Sequence, residues 1–489
     1  MLGVLRAYAI NGDIKMINKT SIVSTLGPAS NSLDTISQLL EVGVSTFRLN
    51  FSHGSFAEHL AVLEHINTAR AKLPYEVSVM GDLCGPKIRI GTIESGTVLV
   101  PDSELTVSVG DQVGNAEHFT TSFVDLVEDI QVGHRILIDD GQLALRVVDK
   151  MVDRLKCRVL VGGPLSSRKG MNLPDTDLSV PAITDKDWQC VDWAIENDLD
   201  YLSLSFVQRS KEIQTLTEYI QKKGSPIKVI AKIEKPLAVD NIESILHAAD
   251  GIMIARGDLG VEMDLAQVPL VQKQITALCR RFAKPVIVAT QVLQSMIENA
   301  SPTRAEATDV SNAVLEFADA VMLSGETAVG KYPVLAVKTL AHICKSTEVY
   351  IEELNEPRPR MDRATEIAHA EAVARAVAHM LDEVAAAMVV VWADNEATCR
   401  LLSKVRIDDP ILALCPDAVT ARHLSLYYGV VSVHHQPISS YEQWISAVEG
   451  VILENGWASK GENLLLLPPL AALSENTAGA IIMHTIAGT

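Results

Sequence analysis

The sequence predicts an α/β protein: a (β/α)8 TIM barrel with an inserted small all-β lid domain and a C-terminal α/β domain. Three observations predict it. Eight short apolar runs alternate with helix-like segments, which implies a parallel sheet, and eight is the count of a closed barrel. Polar residues gather where these runs end, at Arg48, Asn50, Asp82, Lys232, Glu234, Asp258, Thr290 and Ser324, the end that carries chemistry in such barrels. After the third run the pattern changes to short alternating stretches with Gly and Asp turns.

The first three runs are Ser21–Leu26, Val44–Phe51 and Val77–Leu83. The interruption holds Thr97–Val100, Glu104–Val109, Arg135–Ile138, Leu143–Val148 and Lys156–Val161, with Asp139-Asp140-Gly141 as a hairpin turn. Tyr201–Val207, Lys228–Glu234, Ile252–Asp258, Val286–Gln291 and Ala320–Ser324 complete the eight. A charged linker with two prolines, Glu352–Asp362, then leads to an Ala-rich helix, Ala364–Leu381. Strand-like Ala386–Trp392, Pro410–Leu414, Val430–His434 and Leu464–Leu467 follow. The division is an N-terminal segment 1–17, the barrel 18–87 and 182–350, an inserted β-barrel lid 88–181, and a C-terminal α/β domain 351–489.

The chain has 489 residues, 48% of them hydrophobic, with mean hydropathy +0.18, so it can bury several cores. Its formal charge is −19, which argues against general nucleic-acid or anionic-membrane binding while leaving local phosphate sites open. Seven scattered cysteines without a CxxC pair suit a reducing, cytoplasmic setting. No apolar run reaches transmembrane length, and Met1–Lys15 lacks the basic and apolar regions of a signal peptide. Met16, just before the first run, is an alternative start.

Two strings carry the chemistry: Ile-Ala-Lys-Ile-Glu at 230–234 and Ile-Ala-Arg-Gly-Asp-Leu-Gly at 254–260. Alternation along a strand puts Lys232 with Glu234 on one side, and Arg256 with Asp258. A helical stretch, Pro236 to Ala249, separates the strings, and parallel strands in such a unit lie about 4.8 Å apart. Glu234 and Asp258 then hold one hard cation with the Lys232 ammonium beside it, a set suited to a substrate that becomes strongly anionic. For either string taken alone, an ion-paired strand end is the simpler reading.

Arg48-Leu49-Asn50-Phe51-Ser52-His53-Gly54 closes the second run, and Arg48, Asn50 and Ser52 share a face. Arg48 is suited to grip a phosphoryl group, or else pairs with Asp82 across the mouth. His53 beside a Gly turn reads as a structural support. With Ser24–Ser30, Gly81-Asp82, Gly85-Pro86, Lys169–Pro174, Ala231–Glu234, Ala255–Gly260, Ala289–Gln291, Pro302–Glu306 and Leu323–Thr327, the chain resembles the pyruvate kinase family over about residues 18–350. Of these strings, Gly27-Pro28 reads first as a turn. Pro302–Glu306 and Leu323–Thr327 read as a helix start and a strand-end turn.

That resemblance implies phosphoryl transfer from phosphoenolpyruvate to ADP, giving pyruvate and ATP as the last step of glycolysis. It implies Glu234 and Asp258 as ligands of Mg2+, or Mn2+ in its place, together with substrate oxygens. Lys232 is implied for the enolate and Arg48 for the phosphoryl group in flight. The substrate carboxylate falls to the backbone N–H groups of Gly257 and Asp258 and to Thr290, which is linked to enolate protonation; a hydroxyl is a poor acid alone, which calls for a water relay reaching Ser324. Asn50, Arg89 and Lys169 match nucleotide-contacting positions, Lys169 being on the lid. A cytoplasmic homotetramer is implied as well.

Two departures from the family carry information. Members that need K+ hold it at positions matching Asn50, Ser52 and Asp82, and they have Glu and Thr where this chain has Lys87 and Leu83. Lys87, in Gly85-Pro86-Lys87-Ile88-Arg89, resembles the potassium-independent branch, its ammonium standing in for the monovalent ion; the plain alternative is a lid-hinge surface charge. Cys84, where a Lys is common, reads as neutral. In the last domain the loop that cradles an effector phosphate in relatives reads Trp392–Thr398 with two acids, and Pro468–Leu473 replaces a Gly-rich loop. Both changes argue against fructose 1,6-bisphosphate as effector there. The rivals to an active kinase are a catalytically silent paralogue sensing phosphoenolpyruvate or nucleotide, and a Mg2+-dependent barrel lyase.

Overall fold

Eight parallel strands close into a ring in the computed structural model, which describes residues 18–354, 368–469 and 480–487. They are β1 (Ser21–Thr25), β2 (Thr46–Asn50), β3 (Ser78–Asp82), β4 (Tyr201–Leu204), β5 (Lys228–Ile233), β6 (Gly251–Ala255), β7 (Val286–Ala289) and β8 (Ala320–Leu323). Closure is between β8 and β1, with Ser21 opposite Ala320. Every residue of β1, β3, β4, β6, β7 and β8 is buried, which is why these strands read as continuous apolar runs. Met1–Lys15, Met16, most of Glu352–Asp362, the start of Ala364–Leu381 and the end of Pro468–Leu473 lie outside the described residues.

Each expected run overshoots the end of its strand by one to three residues. Of the polar residues there, Ser205, Glu234 and Asp258 line the mouth. One overshoot overturns a reading. The chain leaves β6 at Ala255, and Arg256–Glu262 is a helix. Residues two apart lie on different sides of a helix, so Arg256 does not share a face with Asp258. It turns outward to Asp309, at 2.7 Å, and to the Thr290 carbonyl, at 3.2 Å. The expected helix Pro236–Ala249 is two, Pro236–Asp240 and Ile242–Ala248. They break at Asn241, whose amide serves the carbonyls of Gln208 and Leu237.

The family-like strings bond both within themselves and to distant segments: Glu326 accepts from the Leu293 N–H at 2.9 Å, and Thr327 donates to the Thr25 carbonyl at 2.8 Å. Thr303 and Glu306 cap each other at the start of Arg304–Leu315. Gly27 lies so close to Ala328 that an added Cβ would meet its carbonyl oxygen at 2.5 Å.

The insertion forms a six-stranded sheet in the order Met171–Asn172, Arg135–Ile138, Leu143–Lys150, Arg154–Val161, Glu104–Val109, His118–Thr121. Arg89 and Ile90 span its two edges through bridges to Gly170 and Thr121, so the sheet wraps its own core. Asp139 and Asp140 both have φ above 50°, as the turn chemistry of a short hairpin requires.

The last domain is a five-stranded sheet in the order Val430–His434, Ile411–Cys415, Met388–Trp392, Asn463–Leu467, Ile482–Thr485, the final strand antiparallel. It docks on the N-terminal end of the barrel. Leu426 is fully buried within the barrel's interior cluster with Met80, Ile230, Met253, Ile287 and Met322. Around it Lys404 and Arg406 pair with buried Asp319, and Arg422 Nε donates to Asp200 at 2.6 Å. The two acids of the Trp392–Thr398 loop are engaged: Asp394 accepts from the Trp392 indole at 2.7 Å, and Glu396 holds His423 at 3.1 Å. All seven cysteines are buried and unpaired.

Candidate active site

Register places the site. β2 and β3 set Asn50 beside Asp82, and β3 and β4 set Asp82 beside Ser203. Arg48, Asp82, Lys232 and Glu234 are therefore delivered to one mouth, all of them buried. With Asn50 and Asp258 they line a cavity of about 200 Å3.

The plainer reading of Arg48, a pair with Asp82, is the one the side chain makes. Its Nε and Nη2 donate to Asp82, the former at 3.1 Å, and its Nη1 donates to Thr25 Oγ1 at 2.9 Å. Those three bonds, out of the five N–H groups of a guanidinium, leave two for a ligand. Burial works to raise the Asp82 carboxyl, but Arg48, Lys232 and the Ser203 hydroxyl, 2.5 Å away, hold it down at about 2. Asp82 is thus the anion that fixes both cations of the mouth.

Lys232 Nζ donates to Ser205 Oγ at 2.8 Å and ion-pairs with Glu234 at 2.7 Å. Burial opposes its charge; Asp82 and Glu234 outweigh burial, so the ammonium is held protonated above its usual range. Glu234 also accepts from the Phe206 N–H at 2.9 Å. Asp258 opens to solvent through the cavity yet has protein on most sides. Burial and the negative charge of Glu234 push its carboxyl up to about 6, with Lys232 opposing. Two carboxylates crowding each other in this way fit a divalent cation, which relieves the repulsion with oxygen ligands. No group of three or more His, Cys, Asp or Glu side chains suited to a metal exists among the described residues.

Other expected residues lie nearby but apart. Thr290, with φ +66°, accepts from the Gly257 N–H at 2.6 Å and donates to the Ala289 carbonyl at 2.6 Å, outside the cavity lining. The Gly257 N–H is therefore already paired. Ser324 Oγ is buried with no hydrogen-bond partner among the described residues. Lys87 reaches the rim and donates to Ser52 Oγ at 3.0 Å. Arg89 and Lys169 stay on the lid, bonded to the Arg168 carbonyl at 2.8 Å and to Asp139 at 3.0 Å. The hairpin acid Asp140 adds its field to that of Glu234 on Asp258, so the turn faces the site. The His53 backbone carbonyl pairs with the His59 ring at 3.0 Å, while the His53 side chain is exposed.

Sequence reasoning missed Ser203, Ser205, Lys235 and Glu262. The serines are two apart in Tyr201–Val207, a period-two signal for one face that was open to detection. Lys235 and Glu262 carried no signal, because only the tertiary structure turns them inward.

Comparison with known proteins supports the fold. Residues 17–337 match the family model "Pyruvate kinase, barrel domain" and residues 371–486 match "Pyruvate kinase, alpha/beta domain". A Mycobacterium intracellulare pyruvate kinase is 39% identical over 474 residues, covering 96% of this chain and 99% of that one. A Bacillus licheniformis pyruvate kinase is 38% identical over 456 residues, covering 92% and 77%. The crystal structure of a Cryptosporidium parvum pyruvate kinase superposes with a TM-score of 0.88 at 33% identity, covering 96% of each chain.

Proposed function

The chain belongs to the pyruvate kinase family, and we propose that the mouth of its barrel is where it transfers a phosphoryl group from phosphoenolpyruvate to ADP. As a member it is a phosphotransferase that depends on a divalent metal. The observation that carries the site is the convergence of Arg48, Lys232, Glu234 and Asp258 on one cavity.

The two free N–H groups of Arg48 bind the phosphoryl oxygens, and Asp82 keeps the guanidinium from swinging away. The Lys232 ammonium, held protonated, neutralises the enolate oxygen left as the phosphoryl departs. Glu234 and Asp258 hold Mg2+, or Mn2+ in its place. When bound, the cation offsets phosphate and carboxylate charge and orients the transferring oxygens. Thr290 releases the Gly257 N–H as substrate carboxylate arrives, with Asp258 N–H beside it, and its hydroxyl passes a proton to the enolate carbon while taking one from a water relay. Ser324 Oγ, unpaired and buried, is the relay position behind it. Asn50, Arg89 and Lys169 take the nucleotide phosphates, which requires Lys169 to exchange Asp139 for its ligand.

Lys87 supplies the charge that a monovalent cation would bring. Its bond to Ser52 occupies a hydroxyl that K+ would use, which supports turnover without K+. No helix among the described residues is long and apolar enough to cross a membrane. The cytoplasmic homotetramer expected of the family belongs to the same proposal, and light scattering of the purified chain tests the assembly.

A coupled assay with phosphoenolpyruvate, ADP and Mg2+, run with and without K+, tests the whole reading. Turnover is expected in both buffers. Ligand binding without turnover would favour the silent sensor.

A further inference from the structure

Two buried charges at the mouth have no part in the chemistry above. Glu262, 3% exposed, ends the Arg256–Glu262 helix, and Lys235, 4% exposed, follows Glu234 directly. Lys235 Nζ lies 3.4 Å from Glu262 Oε1 and 5.9 Å from the Phe206 ring centre. Glu262 Oε1 also accepts from the Asn172 amide at 2.8 Å. Asn172 belongs to the lid, on the strand paired with Leu137. Glu262 Oε2 has no partner among the described residues.

This arrangement is a poor one for the barrel alone. A buried carboxylate with one oxygen doubly served and the other bare costs stability that an apolar residue would spare. What the acid does serve is the junction between lid and helix. A second contact falls on the same helix, since the lid turn at Gly141 lies against Val261, its Cβ direction meeting Cγ1 at 3.8 Å. The helix that receives both contacts is seven residues long and carries Asp258 in its first turn.

We propose that Glu262 is a positioning residue that transmits lid closure to Asp258: Asn172 bonds to it when the lid is down, Lys235 holds it in place, and the short helix is thereby locked with its metal-binding carboxylate. The proposal rests on the reading of this mouth as the phosphoryl-transfer site. Lid closure then completes the metal site as well as excluding water.

The test exchanges donor and acceptor. Asn172→Asp sets carboxylate against carboxylate and should lower kcat on the order of tenfold, as expected for a lost bond to a charged group, with KM for phosphoenolpyruvate changing less. Amides 257–262 should exchange hydrogen faster in this variant than in the parent, with no substrate present. The double variant Asn172→Asp/Glu262→Gln restores a donor facing an acceptor and should regain most of both losses. Asn172→Ala should show the same pattern at smaller size and serves if Asn172→Asp does not fold. Parent-like kcat and exchange in the single variants, or a double variant as impaired as Asn172→Asp, would overturn the proposal. If the parent itself shows no turnover, the kinase reading fails, and the exchange data still decide the lid-to-helix coupling.

Discussion

Lys87 Nζ donates a hydrogen bond to Ser52 Oγ across 3.0 Å, tying the entry to the lid to the loop that leaves β2. The ammonium stands at the rim of the cavity that holds Arg48 and Lys232, a fixed charge beside two others. Turnover of the parent should therefore be the same in K+-free buffer as in K+. Lys87→Ala should lose on the order of tenfold or more in kcat/KM, as for other preorganised charges, and K+ should restore part of it. A strong K+ stimulation of the parent, measured in the coupled assay, would refute the role.

Lys232→Met should abolish phosphoryl transfer, by about 10³-fold or more, while divalent metal still binds to Glu234 and Asp258. Steady-state kinetics and Mn2+ titration separate the two effects. Near-parent turnover would refute the assigned role. The variant should also melt lower, because Asp82 and Glu234 lose the cation that compensates them.

Leu426 makes a different prediction, about the barrel as a whole. It is fully buried in the cluster that fills the barrel's lower interior, although it comes from the last domain. Leu426→Ala should cost about 2–5 kcal/mol, the range for emptying a core leucine site, and should destabilise barrel and last domain together. A melt unchanged from the parent would show that the barrel is closed without it.

Glu396 predicts an acid-sensitive seam. Burial raises its carboxyl, but the His423 hydrogen bond and the Lys228 and His423 charges prevail and hold it below its ordinary value, with Arg400 adding to them and Tyr427 at 3.3 Å. A depressed carboxyl contributes stability that is present above its unfolded value and lost as pH falls through the folded one. Denaturant titrations from pH 7 downward should show this loss in the acidic range. Glu396→Gln should flatten that limb and cost about 1 kcal/mol near neutrality. An unchanged acid limb in Glu396→Gln would count against it.

Much of the site was legible because strand ends announce themselves. Lys232 and Glu234 follow an apolar run with the spacing of one face, and they meet at 2.7 Å as alternation requires. Asp258 was found by the same rule although the rule does not apply to it. The chain is already helical there, which is why Arg256 leaves the site for Asp309. Ser203 and Ser205 obey the rule, but small hydroxyls in an apolar run carry no charge to mark them.

The sequence by itself determined the eight alternating units, the inserted all-β segment, the separate last domain and the cations and carboxylates of the mouth. These are recorded in local period and local charge, which neighbouring residues express wherever the chain goes. Only the tertiary structure decided that Asp82 would anchor both Arg48 and Lys232, that Glu262 would meet the lid's Asn172, and that Leu426 would fill a barrel built some 100 residues or more before it. Each of those depends on distant segments closing into one packed interior, where burial makes a paired charge strong and an empty volume costly. No pattern within a short window of sequence records that closure.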